Sequence, residues 1–444
     1  MTSIPLMRRL IEKSANGANP TRGRKVARSD WPQGAFAYAW GLVLFVLLST
    51  FCNTAFSEEA SKVSDEERAL SFRTDGNQDT DLAWYQPVKG MFPPAGSAHY
   101  IKGELIWVDH VERELHIRVD RNDSQPRAVW DLPLLLTMLP YGSIEYNGQP
   151  AALQDIPLGT HLHTWCYLKD PEDDRPPLAR WHNRISPESE FRQCIRIEDD
   201  FSYHMRRNEV WRVDEVDREG LTLKATLLKE GQPDGDAKLF DLIESTIIYQ
   251  GDGFGDLESI QPGQEVRMNL TWATLYGPGR VFHLWLDRES QELASARQLA
   301  RHRDHMHGRG VPGWVDAVDD EASVVTVTFF DGIDMSVFES FGAIVPEPLG
   351  WPTSGGAKDD LQPKGTLAVA RSSLMTYDPL NDRKGGNILK TNKVPVVPGC
   401  SGVQIELQCG LLLEGYRPGE IVRFFPANWR FVALPKEEQF FGRE

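Results

Sequence analysis

The chain of 444 residues repeats itself, and this repeat limits its architecture more than any other feature. A first motif, which contains Val-Asp-x-Val, occurs in residues 97–111, 202–216 and 305–318, with a one-residue shift at the start of the third copy. A second motif, Leu-x-x-Ile/Tyr-x-x-Gly, follows each copy, in residues 153–159, 257–263 and 413–419. A two-part pattern that occurs three times indicates a chain built from copies of one structural unit.

The spacing of the two motifs separates the third copy from the others. From the aspartate of the first motif to the glycine of the second, the distance is 50 residues, then 49, then 103. The third module is therefore predicted to carry roughly 50 inserted residues. These are enriched in Pro, Gly and Asp between residues 344 and 402.

Each copy has the pattern of short β-strands. Residues 104–109 and 115–119 alternate polar and apolar side chains around a charged turn, as in a β-hairpin, and residues 221–227 and 324–329 repeat the second strand. The glycine of the second motif is predicted to supply a corner with positive φ. Five or six short strands in roughly 100 residues suit a small closed or partly open barrel, and closure would hide the strand edges.

This order of motifs resembles the OB-like β-barrel modules of exported, largely uncharacterised bacterial proteins. The resemblance covers residues 97–170, 202–286 and 305–435. It implies an all-β fold of three tandem small OB-like β-barrel modules with short linking helices, the third with a large insertion. The motif specifies strands and turns and carries no active-site residues. The connector before the fourth strand is shorter than the helix of a typical OB-fold.

Few segments have a helical pattern. Residues 287–303 predict a helix with Asp287 as N-cap, and Ser186-Pro187-Glu188 predicts the start of a shorter one. The predicted organisation is a signal peptide or membrane anchor (1–57), a flexible arm (58–96), module 1 (97–170), a linker (171–201), module 2 (202–286), a linker helix (287–304) and module 3 (305–444).

The first 57 residues have the pattern of an export signal. Seven basic and two acidic side chains precede residues 35–56, which contain no charge, and Ala55-Phe56-Ser57 has the small residues of a signal-peptidase site. The alternative is an uncleaved anchor, since 22 uncharged residues just span a bilayer. Both interpretations place the body in the periplasm, on the cell surface or in the medium.

The chain is acidic, with a formal net charge of −16; without residues 1–57, whose net charge is +5, it stands near −21. Such a chain repels nucleic acid and anionic membrane surfaces. We therefore expect no nucleic-acid partner, and membrane contact only through the N-terminal segment if it stays uncleaved. The expected partner is an unidentified ligand or protein of the cell envelope.

Four cysteines follow the predicted cleavage site: Cys166, Cys194, Cys400 and Cys409. An even count in an oxidising compartment predicts two disulfides. Proximity in sequence favours Cys166–Cys194 and Cys400–Cys409, although three pairings are open. Four buried free thiols are the alternative.

Two groups of histidines are candidates for metal binding. His302, His305 and His307 form the densest group, but neighbouring arginines disfavour a cation, and the repeat position of His305 favours a structural role. His161 and His163 share one face of a strand, but no third ligand is evident nearby. We therefore expect no metal and no cofactor, and no catalytic motif is evident.

The insertion of the third module contains polar and aromatic side chains that no strand pattern requires: Trp351, Arg371, Tyr377, Asp378, Asn381 and Asp382. Long loops on rigid barrels commonly carry binding sites, so these are the predicted ligand-binding residues; alternatively, they cap an open barrel mouth. The favoured function is an exported non-enzymatic binding or scaffold protein of the cell envelope. The alternative is an envelope carbohydrate-active or metal-dependent enzyme with its site in this insertion.

Overall fold

The computed structural model describes residues 85–120, 132–178, 186, 188–271, 279–342, 363–370, 383–429, 434–435 and 438. All of them belong to the larger of two compact units of the chain, residues 60–444. They form three β-sheets and two α-helices. Neither helix is long and apolar enough to cross a membrane, a finding that concerns only these residues.

Module 1 is a closed five-stranded barrel with one added short strand. Its strands are β1 (His99–Asp109), β2 (Glu114–Val119), β3 (Pro133–Tyr146), β4 (Gln149–Pro150), β5 (His161–Leu168) and β6 (Phe191–Asp199). The ring runs β1-β2-β3-β6-β5 and returns to β1. Every pair in the ring is antiparallel except β3 with β6. A 3-10 helix, Leu153–Asp155, precedes β5. Strand β6 lies in the segment that was predicted to be a linker.

Module 2 repeats this strand order without the same closure. Its elements are α1 (Asp200–Arg206), β7 (Glu209–Asp217), β8 (Thr222–Lys229), β9 (Gln232–Pro233), β10 (Lys238–Gln250), β11 (Gly253–Phe254), a 3-10 helix (Leu257–Ser259), β12 (Glu265–Thr271) and β13 (Arg280–Trp285). The seam between β7 and β12 pairs only Arg212 with Glu265 and Trp211 with Val266. We therefore describe this sheet as curled but not closed, which corrects the prediction of three barrels.

Module 3 is a closed six-stranded barrel that follows a long helix. Its elements are α2 (Arg288–Arg309), β14 (Val311–Asp319), β15 (Val324–Phe330), a 3-10 helix (Met335–Gly342), β16 (Lys364–Val369), β17 (Arg383–Lys393), β18 (Cys400–Cys409) and β19 (Ile421–Pro426). The ring runs β14-β15-β18-β17-β16-β19. The hairpin β16–β17 belongs to the insertion and stands between β18 and β19. In module 1, β6 holds the corresponding place between β3 and β5.

The same backbone hydrogen bond joins the two motifs in every module. The glycine N–H of the second motif donates to the first strand at 2.7–2.8 Å, from Gly159 to Leu105, Gly263 to Val213 and Gly419 to Val315. These glycines have φ of 92°, 89° and 82°, which confirms the predicted corner.

The structure shifts the alignment of the first motif in module 1 by three residues. Asp109, Asp217 and Asp319 each accept two backbone N–H groups in the hairpin turn after the first strand. They are therefore equivalent, whereas the sequence pattern matched Asp109 with Asp214. Modules 2 and 3 contain Val-Asp twice in this strand and module 1 contains it once, so the pattern matched the wrong copy.

The helix predictions had different outcomes. The Asp287 side chain accepts the Ser290 N–H at 2.7 Å as the N-cap of α2, as predicted. The helix continues past residue 303 and ends at Arg309. Its C-cap is Gly310, whose φ is 74°. Around Ser186 the prediction was wrong, because the described residues form a turn in which Ser189 N–H donates to the Ser186 carbonyl.

The two predicted disulfides are absent: all four described cysteines are free and buried. Cys400 and Cys409 stand at the two ends of strand β18. Nine steps of about 3.3 Å separate them by roughly 30 Å, far beyond the reach of a disulfide. Cys166 and Cys194 are cross-strand neighbours, but their sulfurs remain thiols.

Each module has its own apolar core, and a fourth cluster joins modules 1 and 3. The three module cores contain fully buried aliphatic and aromatic side chains, such as Leu105, Leu223 and Phe424. The fourth cluster is aromatic and includes Tyr141 and Trp314, whose ring centroids are 5.5 Å apart. Burying such rings contributes strongly to stability, so modules 1 and 3 are packed through their aromatic side chains.

Candidate functional site

The predicted ligand-binding residues of the insertion lie outside the described residues: Trp351, Arg371, Tyr377, Asp378, Asn381 and Asp382. Their assignment stays a prediction.

The three histidines of α2 do not converge on one point. The Nε2 atom of His302 accepts the Asp334 N–H at 3.2 Å. The Nδ1 atom of His305 is buried without a hydrogen-bond partner. The ring of His307 stacks on Trp429, with centroids 4.3 Å apart. Among the described residues, the one group of three side chains with converging metal-ligand atoms lies elsewhere.

That group is His161, His163 and Asp200, and it lies where module 1 meets module 2. The two histidines are two residues apart on β5, so they share one face of the strand. Asp200 is the first residue of α1, directly after β6. Because β5 pairs with β6, the pairing brings the aspartate against both rings. All three side chains are buried.

One carboxylate oxygen holds both rings. The Oδ1 atom of Asp200 is 2.7 Å from His161 Nδ1 and 3.0 Å from His163 Nε2. The other nitrogen of each ring is also bonded, with His161 Nε2 3.1 Å from Asp120 and His163 Nδ1 2.5 Å from the Tyr100 hydroxyl. We call these five side chains the His–Asp cluster.

The cluster has one favoured distribution of protons. Burial would lower the pKa of His161, but the carboxylates of Asp200 and Asp120 outweigh it and raise that pKa to about 10. Burial lowers the pKa of His163 to about 4 despite its bond to Asp200. His161 is therefore an imidazolium at neutral pH. His163 is neutral, donates from Nε2 to Asp200 and accepts the Tyr100 hydroxyl at Nδ1.

The cluster is connected to module 2 through backbone and side-chain bonds. The Oδ2 atom of Asp200 accepts the Leu270 N–H at 2.8 Å. The neighbouring Asp199 caps α1 and accepts the Asn269 amide at 2.7 Å. Burial raises the pKa of Asp199 to about 6, against four hydrogen bonds that lower it. Both aspartates therefore connect β6 of module 1 to β12 of module 2.

The neighbouring aromatic rings shield this junction from bulk solvent. The Tyr203 ring lies parallel to His163 with centroids 3.7 Å apart, and Trp165 is fully buried beside Tyr100. Buried hydrogen bonds are strong in such an environment, and an unmade one is costly. Chemically, the arrangement can hold protons between its nitrogen and oxygen atoms, or a cation with imidazole and carboxylate ligands.

A groove of about 420 Å³ lies between modules 1 and 3. Its floor and walls are largely apolar and include Val88, Met138, Leu139, Tyr141, Trp314 and Ile421. Charged side chains along it pair with one another: Lys89 with Glu420 at 2.7 Å, Arg175 with Asp173 at 2.9 Å and Arg192 with Asp173 at 3.2 Å. It has the size of a small-molecule site.

Sequence reasoning found two members of the His–Asp cluster and missed the rest. His161 and His163 were noted as a pair without a third ligand, while Asp120 and Asp200 lie about 40 residues away in opposite directions. No local signal indicates them, because they come together only through the pairing of β5 with β6 and with β1, and of β1 with β2. Comparison of the chain with family models, curated proteins and solved structures gave no match.

Proposed function

We propose that the chain is an exported, non-enzymatic binding protein of the cell envelope, built on OB-like modules. The strand order of module 1 supports the OB-like assignment. Numbered without the short β4, the ring is 1-2-3-5-4, with strands 3 and 5 parallel. This is the order of a five-stranded OB barrel. The basic and apolar N-terminal pattern supports export.

The groove between modules 1 and 3 carries the binding proposal. It combines an apolar, partly aromatic wall with a few polar groups, as small-molecule sites do. Two separate modules and the segment at residues 87–90 supply its lining. The aromatic cluster that packs these modules together therefore also holds the walls of the groove in place.

The ligand that fits best is an uncharged, ring-bearing small molecule. Three cations and three acids line the groove, and most of them form the ion pairs described above. An anionic ligand would have to break one of these pairs, and a cationic one would meet only the exposed Asp170 outside them. An uncharged ring packs against the apolar wall without breaking a pair. The volume of about 420 Å³ limits the ligand to a compact molecule.

The uncharged dye Nile red, whose fluorescence rises in apolar surroundings, tests the groove. Val88 lines the groove and is 50% exposed, whereas Leu239 of module 2 is 54% exposed and does not line it. We expect saturable binding at one site per chain, loss of binding in Val88→Arg, and native binding in Leu239→Arg. Equal binding in both variants would place the dye elsewhere and reject the groove as the site.

Export has a separate test. N-terminal sequencing of the protein recovered from outside the cytoplasm should begin near Glu58 if the leader is cleaved. Recovery of the chain from the cytoplasm with Met1 intact would contradict export, whatever the result of the dye experiment.

A further inference from the structure

We propose that His161, His163 and Asp200 bind one divalent transition-metal ion in place of the hydrogen atoms between them, with the His161 Nδ1 proton released to solvent and the His163 proton moved from Nε2 to Nδ1. This goes beyond the ligand groove, and neither proposal depends on the other.

The spacing of the donor atoms favours an ion with ligands at right angles. The two nitrogen-to-oxygen distances are 2.7 and 3.0 Å. With bonds of about 2.1 Å, adjacent ligands at right angles lie about 3.0 Å apart, and tetrahedral ligands lie about 3.4 Å apart. The donor atoms therefore need to shift by only a few tenths of an ångström to hold an ion with ligands at right angles, while both rings turn their lone pairs from Asp200 Oδ1 towards the ion. Water that enters with the ion fills the remaining positions.

The groups behind the ligands form the outer shell of a metal site. Ligand histidines usually bond their second ring nitrogen to a carboxylate or another polar group, which fixes the orientation of the ring. Here Asp120 accepts from His161 Nε2, the Tyr100 oxygen accepts from His163 Nδ1 in the metal-bound tautomer, and the Leu270 N–H donates to the second oxygen of Asp200. Each of the three proposed ligands is therefore already oriented by a second contact.

The charges of the cluster match a divalent ion. Asp120 and Asp200 supply two negative charges, and both side chains are at least nine-tenths buried. Lys102 also contacts Asp120, at 3.3 Å, but 44% of its side chain is exposed, so it can turn to solvent. Two imidazoles and a carboxylate suit first-row transition metals, whereas calcium and magnesium prefer oxygen ligands.

An ion at this place would join two modules. His161 and His163 belong to the barrel of module 1, and Asp200 is bonded to β12 of module 2. Because the site is buried, the ion has to enter as the junction forms. The expected consequence is a metal-dependent rise in the thermal stability of the whole chain, as for any ligand that binds only the folded state.

The test is refolding of the full chain with Co²⁺ after unfolding in urea and EDTA. The visible absorption of Co²⁺ reports nitrogen ligands and separates tetrahedral from higher coordination. We expect one retained Co²⁺ per chain with the weak bands of five or six ligands, and a higher melting temperature than the EDTA-treated chain.

Variants assign the ion to its ligands. His161→Ala and Asp200→Asn should retain no Co²⁺, and so should His163→Gln, whose amide can still donate to Asp200. Asp120→Asn should bind about 10–100-fold more weakly because it alters only the outer shell. His283→Ala is the control, because it removes a buried histidine that belongs to module 2 and is not a member of the His–Asp cluster. It should bind as the native chain does.

Three results would overturn the proposal. One is a folded native chain that retains no Co²⁺ and melts at the same temperature with and without it. Another is native binding in folded His163→Gln, which would assign the ion to other histidines. The third is native binding in folded Asp200→Asn, which would exclude the carboxylate from the site. If a variant fails to fold by circular dichroism, the melting comparison on the native chain still decides.

Discussion

Gly263→Ala tests the repeated backbone corner, because the substitution adds one methyl group and no clash. Gly263 has φ of 89° and donates its N–H to Val213 at 2.7 Å. A Cβ at this position would meet nothing within 4 Å, so any destabilisation comes from the backbone alone. A residue with a Cβ at positive φ costs about 1–2 kcal/mol. We therefore expect the free energy of unfolding to fall by about that amount.

Urea unfolding followed by tryptophan fluorescence measures the change. The midpoint should fall while the slope stays the same, since the surface exposed on unfolding does not change. Gly308→Ala is the control of opposite sign, because Gly308 lies inside α2 and its added Cβ also meets nothing within 4 Å. It should raise stability by about 0.5–1 kcal/mol. A midpoint in Gly263→Ala that equals or exceeds the native one would refute the corner as the reason for this glycine.

Three further predictions concern buried polar groups. Arg196→Met should cost about 3–5 kcal/mol in a denaturant titration, because Glu198 is fully buried and loses one of its two cations. Arg288→Met removes an exposed ion pair with Glu292 and should leave the midpoint of the denaturant titration unchanged. Burial lowers the pKa of His283 to about 4, so the folded state loses stability as pH falls from 6.5 to 4. His283→Leu should remove up to about 3 kcal/mol of this loss, and parallel pH–stability curves would contradict it. Thiol titration should find the four described cysteines unreactive in the folded chain and at least four reactive thiols after unfolding without reductant; fewer than four would indicate a disulfide.

The local features of the fold were predictable because short-range chemistry determines them. Alternating side chains indicated the strands of each hairpin, and the Asp287 cap marked the start of α2. The glycines of the second motif stand at positive φ as expected, because only glycine adopts that conformation without cost.

The pairing of distant segments was decided by the tertiary structure. The Val-Asp match of module 1 was off by three residues, because the pattern occurs twice in the other modules and only the hydrogen bonds of the turn separate the two copies. Cys400 and Cys409 are near in sequence but stand at opposite ends of one extended strand. The insertion contributes the hairpin β16–β17 to a closed barrel, which its composition did not indicate.

The candidate site shows the same division. By itself, the sequence determined that His161 and His163 share one face of a strand, since side chains alternate along β-structure. Asp200 joins them only because β6 pairs with β5 and delivers the first residue of α1 to that face. Burial then sets the charges of the two rings in opposite directions. Strand pairing and burial depend on contacts between residues far apart in the chain, and no local pattern encodes them.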